Sequence, residues 1–162
     1  MLMQSKGFTL IEVLVTVLIV GILASVASPV YRSLIVSTRL SGEMNALIGA
    51  LNVARSEAQK RGQTVSICAG TALVCTTDWT AGWLVLLDST PKQQLLVRAA
   101  LSSGDTITNS ETQVPQFNAA GYTFYNGTLT LRDKDNTPEL RRCIKIEAGS
   151  WVTIKGAQCP AT

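Results

Sequence analysis

A single carboxylate, Glu12, lies inside a long apolar segment near the start of this 162-residue chain. The 20 residues from Phe8 to Ala27 contain no other charge. As a helix they would extend about 30 Å, which is the thickness of one bilayer core. A charge at such depth costs about 2.5–3.5 kcal/mol on insertion scales, so it is usually functional and paired. Because the segment has no Lys or Arg, Glu12 predicts a partner from outside it.

The residues Gly7-Phe8-Thr9-Leu10-Ile11-Glu12 follow a short polar leader and precede Pro29. This pattern resembles the prepilin signal of type IV pilins and type II secretion pseudopilins. The resemblance implies cleavage after Gly7 by an inner-membrane prepilin peptidase and N-methylation of the new Phe8 terminus. It also implies that Glu12 pairs with the terminal amine of a neighbouring subunit in a filament. The role of Glu12 would then be assembly rather than catalysis.

Two other interpretations of the N-terminal segment remain open. An ordinary secretory signal would use Lys6 as its positive region, and Ser25-Val26-Ala27 offers the small-x-small pattern that a signal peptidase cuts after. A plain transmembrane anchor would explain the length of the segment. Neither alternative explains why Glu12 lies within the apolar run.

The composition indicates a small exported protein with one globular domain beyond the anchor. The formal net charge of +3 is too small to indicate nucleic-acid binding. The four cysteines form a close pair, Cys68 and Cys75, and a wider pair, Cys143 and Cys159. Three connectivities are open. We favour Cys68–Cys75 and Cys143–Cys159, because each closes a short loop and the anchor would place the domain in an oxidising periplasm.

Enzymatic chemistry has little support in the sequence. The chain has no His, which excludes Ser-His and Cys-His nucleophile arrangements, and it has no glycine-rich phosphate loop. Oxygen donors cluster at Asp133, Asp135, Asn136 and Glu139, but the glycine and terminal Glu of an EF-hand are missing, so we interpret them as a polar turn. We therefore expect a non-enzymatic protein with no cofactor and no metal site.

The segment after Pro29 is predicted to be an amphipathic helix. Apolar residues recur every three or four positions between Tyr31 and Arg61, and Gly62 follows as a stop signal. Pro29 should kink one long helix, whose first half would lie in membrane or filament core. Gly42 and Gly49 suggest close packing against strands. Arg39, Glu43, Arg55, Lys60 and Arg61 suit the wetter side of the helix.

From Thr64 onward the pattern changes to short β-rich runs. The alternation in the last hairpin, around Ala148-Gly149-Ser150, places Ile144, Ile146, Val152 and Ile154 on a buried face. Residues 102–113 and 133–138 look like loops. The predicted strands are Thr64–Ala69, Trp83–Asp88, Leu95–Ala100, Val114–Asn118, Thr128–Arg132, Cys143–Glu147 and Trp151–Lys155.

Further residues narrow the resemblance to the minor pilin and pseudopilin family. They are residues 52–58, which end the helix, Phe117-Asn118-Ala119-Ala120-Gly121, and the terminal hairpin. The family implies an α+β fold, in which a long N-terminal helix packs on a C-terminal antiparallel, β-sandwich-like domain. The expected division is 1–7 leader, 8–28 transmembrane or filament-core helix, 29–62 amphipathic helix and 63–162 periplasmic domain.

The same resemblance implies partners and a location. Expected partners are other minor and major pilins, the prepilin peptidase and inner-membrane lipid. The protein would be a single-pass inner-membrane protein that later enters a pilus or pseudopilus. We favour a FimU-like subunit near the pilus tip, acting in assembly and so in twitching motility, adhesion or DNA uptake. A minor pseudopilin of type II secretion is the variant within the same class.

DNA binding is the alternative from another functional class. Relatives of the FimT kind bind DNA through a basic Gly-Arg-x-Arg hairpin, and the matching turn here, Gly149-Ser150-Trp151-Val152, lacks both arginines. The remaining candidates for a stacking and phosphate patch are Lys145, Trp151, Lys155, Arg141 and Arg142. We expect this face to be solvated rather than bound to DNA.

Overall fold

The computed structural model describes residues 8–101, 103–149, 153–155 and 159, with backbone alone for residues 26–30 and 153–155. The chain divides into two units, Met1–Ile35 and Val36–Thr162. The described residues form one helix, α1 (Leu10–Arg61), then eight strands, with short 3-10 helices at Trp79–Ala81 and Pro138–Leu140. The strands are β1 (Val65–Ala69), β2 (Trp83–Leu87), β3 (Gln93–Arg98), β4 (Thr106–Asn109), β5 (Gln116–Phe117), β6 (Gly127–Arg132), β7 (Arg142–Ile146) and β8 (Thr153–Lys155).

The second half of α1 is amphipathic, as its sequence period predicts, and its apolar side forms one wall of the core. The helix stops at Gly62, which takes a φ of 62°, a left-handed conformation that glycine adopts without Cβ strain. The N–H of Gln63 donates to the Ala58 carbonyl at 3.3 Å, which closes the last turn. The buried residues of this half are Leu40, Met44, Leu47, Ala50, Leu51, Ala54 and Ala58.

Two four-stranded sheets complete the core. The strand orders are β3-β2-β1-β5 and β4-β6-β7-β8, and every pairing among the described strands is antiparallel. Ile67, Trp83 and Leu129 belong to the same hydrophobic cluster as the helix stripe. The predicted α+β class, with a long helix and antiparallel sheets, is confirmed.

Strands β1 and β2 are buried at every position, although an antiparallel sheet commonly has one wet face. One face of these strands meets the helix cluster. The other carries a small second cluster of Cys68, Leu84 and Leu86, with Val114 packed against it. The segment leading into β5 therefore helps to cover the outer face of the first sheet.

Two expectations about the strands were wrong. The segment 102–113 is not all loop, because it contains β4, whose Ile107 pairs with Leu131 of β6. Its polar residues belong to an edge strand with one wet face, and this hides the strand pattern. The run predicted at Val114–Asn118 is a strand only at Gln116–Phe117.

The expected close packing of Gly42 and Gly49 against strands was also wrong. Apart from the chain neighbours and the adjoining helix backbone, no described atom lies within 4 Å of the position that a Cβ would take at either residue. Each glycine lowers helix propensity by about 1 kcal/mol relative to alanine. Packing within this chain does not explain why glycine occupies these two positions.

The N-terminal part of α1 is apolar and carries one charged residue, Glu12. Within the described part of the chain, no helix combines the length and the apolarity of a membrane span. The helix α1 continues through Pro29, and the kink expected there stays a prediction. The leader, residues 1–7, lies outside the described residues.

Candidate functional site

The helix that carries Glu12 begins with a cap formed by Thr9. The Glu12 N–H donates to the Thr9 hydroxyl at 3.3 Å and to the Thr9 carbonyl at 3.1 Å. Thr followed three residues later by Glu is the spacing of a capping box, and the helix dipole favours a carboxylate in the first turn. This local role of Glu12 was not predicted, although the Thr-x-x-Glu spacing is visible in the sequence.

The Glu12 side chain is exposed. Among the ion pairs of the described residues, none involves Glu12. Gly7, the other half of the predicted cleavage site, is outside the described part, whereas Phe8 is described and 81% exposed. The carboxylate is thus accessible to a cation on a second molecule, four residues from the predicted mature terminus.

The helix around Glu12 presents apolar side chains on all sides. Leu10, Val17 and Leu23 are among the large side chains left more than 60% exposed. Even the hydroxyls are internally bonded, because Thr16 donates to the Val13 carbonyl at 2.8 Å and Ser25 to the Ile22 carbonyl at 2.7 Å. A helix that is hydrophobic all round is normally buried in a larger assembly or in a membrane.

Two disulfides lie in the unit Val36–Thr162, which is called the β-rich unit below. Cys68 is bonded to Cys75, with Cα atoms 5.5 Å apart, and Cys143 to Cys159, with Cα atoms 5.6 Å apart. This is the sequential pairing that the sequence analysis favoured. The first bond anchors the loop after β1, and the second joins β7 to the C-terminal segment.

A buried ion pair joins α1 to the second sheet. The Arg39 guanidinium donates to both oxygens of Asp105, at 2.8 Å and 2.7 Å. The Asp105 side chain is fully buried, whereas that of Arg39 is 25% exposed. Asp105 directly precedes β4, so the pair fixes the helix against this edge. Arg39, which the sequence assigned to the wetter side, is therefore half-buried and structural.

The first strand of the last hairpin has its predicted face inside, whereas Val152 and the side chain of Ile154 lie outside what the structure describes. Ile144 and Ile146 are fully buried, and Ile144 pairs with Ile154 across β7 and β8. On the outer side, the Lys145 ammonium lies 2.5 Å from the Glu147 carboxylate. Lys145 thus already forms an ion pair with Glu147, one residue beyond the end of its own strand.

The other candidates for a DNA patch have separate contacts or are not described. The Arg142 guanidinium donates to the Ser37 hydroxyl at 3.0 Å and so points toward α1. Arg141 donates to the Asn136 side chain at 3.2 Å. Lys155 pairs with Cys143 through the backbone, and Trp151 lies outside the described residues. The described side chains of Arg141, Arg142 and Lys145 thus each have a partner within the chain.

In the acidic turn, residues 133–139, the Asp133 side chain forms hydrogen bonds within the turn itself. The Asp133 carboxylate accepts from the Thr137 N–H at 2.7 Å and from the Thr137 hydroxyl at 2.8 Å. Such side-chain bonds stabilise a turn. Within the described residues, no group of three or more His, Cys, Asp or Glu side chains is arranged to hold a metal ion.

Comparison with known families gives two matches. The family model of the type II transport protein GspH matches residues 43–150. The prokaryotic N-terminal methylation motif matches residues 2–28. The two matches together cover the apolar segment, much of the helix and nearly all of the strands.

Solved structures share the fold. The type IV minor pilin FimU of Pseudomonas aeruginosa is similar over 75% of this chain and 92% of its own, with a TM-score of 0.63 and 18% identity. The minor pseudopilin EpsH of the Vibrio cholerae type 2 secretion system is similar over 74% of this chain and 98% of its own, with a TM-score of 0.59 and 12% identity.

One curated relative matches in sequence. The type IV major alpha-pilin of Moraxella bovis is 46% identical over 55 residues. That match covers 32% of this chain and 35% of the pilin. The chain therefore spans about a third of the curated relative that it matches.

Proposed function

Since the chain belongs to the GspH family of minor pilins and pseudopilins, we propose that it is a minor type IV pilin of the FimU kind. In this role it is a low-abundance subunit near the pilus tip that helps to initiate assembly. The observation that carries the proposal is the exposed apolar start of α1, with one carboxylate in its first turn. Such a helix requires other apolar surfaces around it.

Processing creates the partner of Glu12 in this proposal. Cleavage after Gly7 by the prepilin peptidase leaves Phe8 with a new amine, which is then N-methylated. The amine of an incoming subunit meets the Glu12 carboxylate of its neighbour. In an apolar environment the attraction between two such charges is much stronger than in water. The pair therefore favours docking and sets the axial step between subunits.

Before assembly, we propose that residues 8–28 hold the protein in the inner membrane with the β-rich unit in the periplasm. The internally bonded hydroxyls of Thr16 and Ser25 lower the cost of placing this segment in lipid. In the filament the same surface is covered by the helices of other minor and major pilins. The disulfides Cys68–Cys75 and Cys143–Cys159 suit the oxidising compartment.

The exposed face of the helix supports contact with other subunits. Gly42 and Gly49 lie seven residues apart, and the space beside each is open. Close packing of a neighbouring subunit's helix backbone against these two glycines would offset their unfavourable helix propensity. A replacement of Gly49 by a bulky residue would leave the fold of this chain unstrained and obstruct that approach.

The test is incorporation of a Glu12→Ala variant into filaments, in a strain that lacks the wild-type copy. We expect normal amounts in the inner membrane, a strong decrease in sheared pili and few surface pili. Glu139→Ala is the matched control, because Glu139 is an exposed carboxylate far along the chain. Wild-type incorporation of Glu12→Ala would contradict the proposed pairing.

The same strain separates pilus from secretion machine. Loss of this protein should decrease piliation and leave type II secretion into the medium unchanged. The opposite pattern would assign the protein to the pseudopilus. DNA binding, the other functional class, has a separate test below.

A further inference from the structure

A cleft of about 660 Å³ lies beside β5, in the β-rich unit. Sites for small molecules commonly have volumes of about 300–1,000 Å³. The cleft is formed by the segments before β1, around β5 and before β6. Its walls include Thr64, Gln113, Gln116, Asn118, Phe124 and Tyr125.

The cleft is polar but uncharged. No Asp, Glu, Lys or Arg is among its lining residues. The carboxamides of Gln113 and Gln116 are exposed and bond to no other described side chain or backbone group. Each carboxamide offers two donors and an acceptor, so the pair suits a ligand whose groups both donate and accept.

Asn118 holds the loop that forms one wall. Its side-chain oxygen accepts from the N–H of Ala120 and from the N–H of Tyr122, both at 3.0 Å. The Gly121 N–H adds a bond to the Asn118 carbonyl at 2.8 Å. Because these bonds fix the loop from within, the aromatic residues that follow are positioned before any ligand arrives.

Phe124 stands at the cleft with its ring in solvent. It is 85% exposed, the largest exposure among the large apolar side chains described in the β-rich unit. The next residue, Tyr125, is buried, and its hydroxyl bonds to the Asn109 side chain. Burial, together with the nearby Glu111 carboxylate, raises the pKa of Tyr125 to about 12. The Tyr125 phenol is therefore held in its neutral form further into the alkaline range than an ordinary tyrosine.

We propose that this cleft binds an uncharged oligosaccharide. A sugar ring has an apolar C–H face, which would cover the exposed ring of Phe124, and hydroxyls that match the carboxamides of Gln113 and Gln116. An apolar ligand would leave these amides desolvated and unpaired, which costs free energy. An extended peptide is disfavoured, because β5 has two residues, too few for strand pairing along its edge.

The probes are maltotriose, cellotriose and the trisaccharide of N-acetylglucosamine. The full chain is kept in a zwitterionic detergent, because a sugar-headed detergent would compete. Saturation-transfer NMR followed by titration measures binding. We expect at least one trisaccharide to bind with a Kd of about 1 mM or tighter. If none of the three binds at about 10 mM, the proposal is wrong.

Variants locate the binding in the cleft. Phe124→Ala should weaken it about tenfold, through loss of the stacked face. Gln113→Ala should weaken it roughly threefold to tenfold, through loss of one set of hydrogen bonds. Both residues are exposed, so the variants should fold normally. Tyr122→Ala is the matched control, since Tyr122 is an exposed aromatic of the same loop that does not line the cleft.

Equal affinities for wild type, Phe124→Ala and Tyr122→Ala would overturn the proposal, because the sugar would then bind elsewhere. A second contradicting result is a cross-link from residue 124 to a neighbouring subunit in pili, combined with no trisaccharide binding. In that case the cleft would be a contact between proteins.

Discussion

Replacing Arg39 by alanine should destabilise the β-rich unit strongly. The substitution removes both hydrogen bonds to Asp105, at 2.8 Å and 2.7 Å. The Asp105 carboxyl is then left without its partner in a position with no solvent exposure. Breaking a buried ion pair by removing one partner costs about 3–5 kcal/mol. We expect about 3 kcal/mol, since the 25% exposure of Arg39 allows some water to enter when its side chain is removed.

The reverse substitution should cost less. In Asp105→Ala the stranded charge belongs to Arg39, which is already partly in solvent and has a long flexible stem. Such a side chain can turn its charged end to water. We expect a loss of about 1–2 kcal/mol. Which of the two variants loses more stability therefore tests which charge is buried. The size of each loss tests the strength of the ion pair.

The assay is urea unfolding of the full chain in detergent, followed by tryptophan fluorescence. Trp79 and Trp83 are 3% and 0% exposed, so their emission reports loss of the core. Lys60→Ala is the control, because it breaks an exposed pair with Glu57 and should cost less than about 0.5 kcal/mol. The double variant Arg39→Met, Asp105→Leu should recover most of the stability, since apolar replacement of a buried pair is often neutral.

Two results would contradict a buried, bonded Asp105. One is a loss below about 1 kcal/mol for Arg39→Ala, which would mean that Asp105 is solvated in solution. The other is a larger loss for Asp105→Ala than for Arg39→Ala. In that case the buried charge would not dominate the energetics of the pair.

Three further predictions concern processing, DNA and pH. Intact-mass measurement should find a mature protein that begins at Phe8 with one added methyl group, whereas a terminus at Ser28 would establish an ordinary secretory signal. Fluorescence anisotropy at physiological salt should give a Kd for duplex DNA no tighter than about tens of micromolar. The double variant Lys145→Ala, Lys155→Ala should have the same Kd. Low-micromolar binding that is lost in the double variant would favour a DNA receptor. Because folding raises the pKa of Tyr125 from 10.0 to about 12, its contribution to stability is complete below about pH 10 and is lost as the pH rises toward 12. Tyr125→Phe should abolish this alkaline loss in unfolding experiments, and an unchanged pH profile would contradict the assignment.

Local patterns were the part of the fold that the sequence predicted well. The stripe from Leu40 to Ala58 depends on one helix period, and the stop at Gly62 depends on the conformational freedom of one glycine. The buried face of Ile144 and Ile146 follows from alternation along one strand. Each of these features is encoded by residues close together in the chain, so no knowledge of distant partners is needed.

Features that depend on distant partners were missed. Arg39 and Asp105 are 66 positions apart, and a lone Arg on a helix is ordinarily a surface residue. The edge strand β4 has few apolar residues, and its pairing with β6 is what makes it a strand. The cleft combines residues from Thr64 to Tyr125, and no local pattern connects them.

The sequence by itself determined the pattern of the N-terminal segment: an apolar run with one carboxylate, Glu12, and the residues that predict a cleavage site, all within residues 7–27. The physical reason is that hydrophobicity and charge along one helix act without a tertiary partner. Only the tertiary structure decided which of three disulfide connectivities forms, where Arg39 goes and that Phe124 stands beside a polar cleft. These depend on which distant segments the packed core brings within a few ångströms of each other.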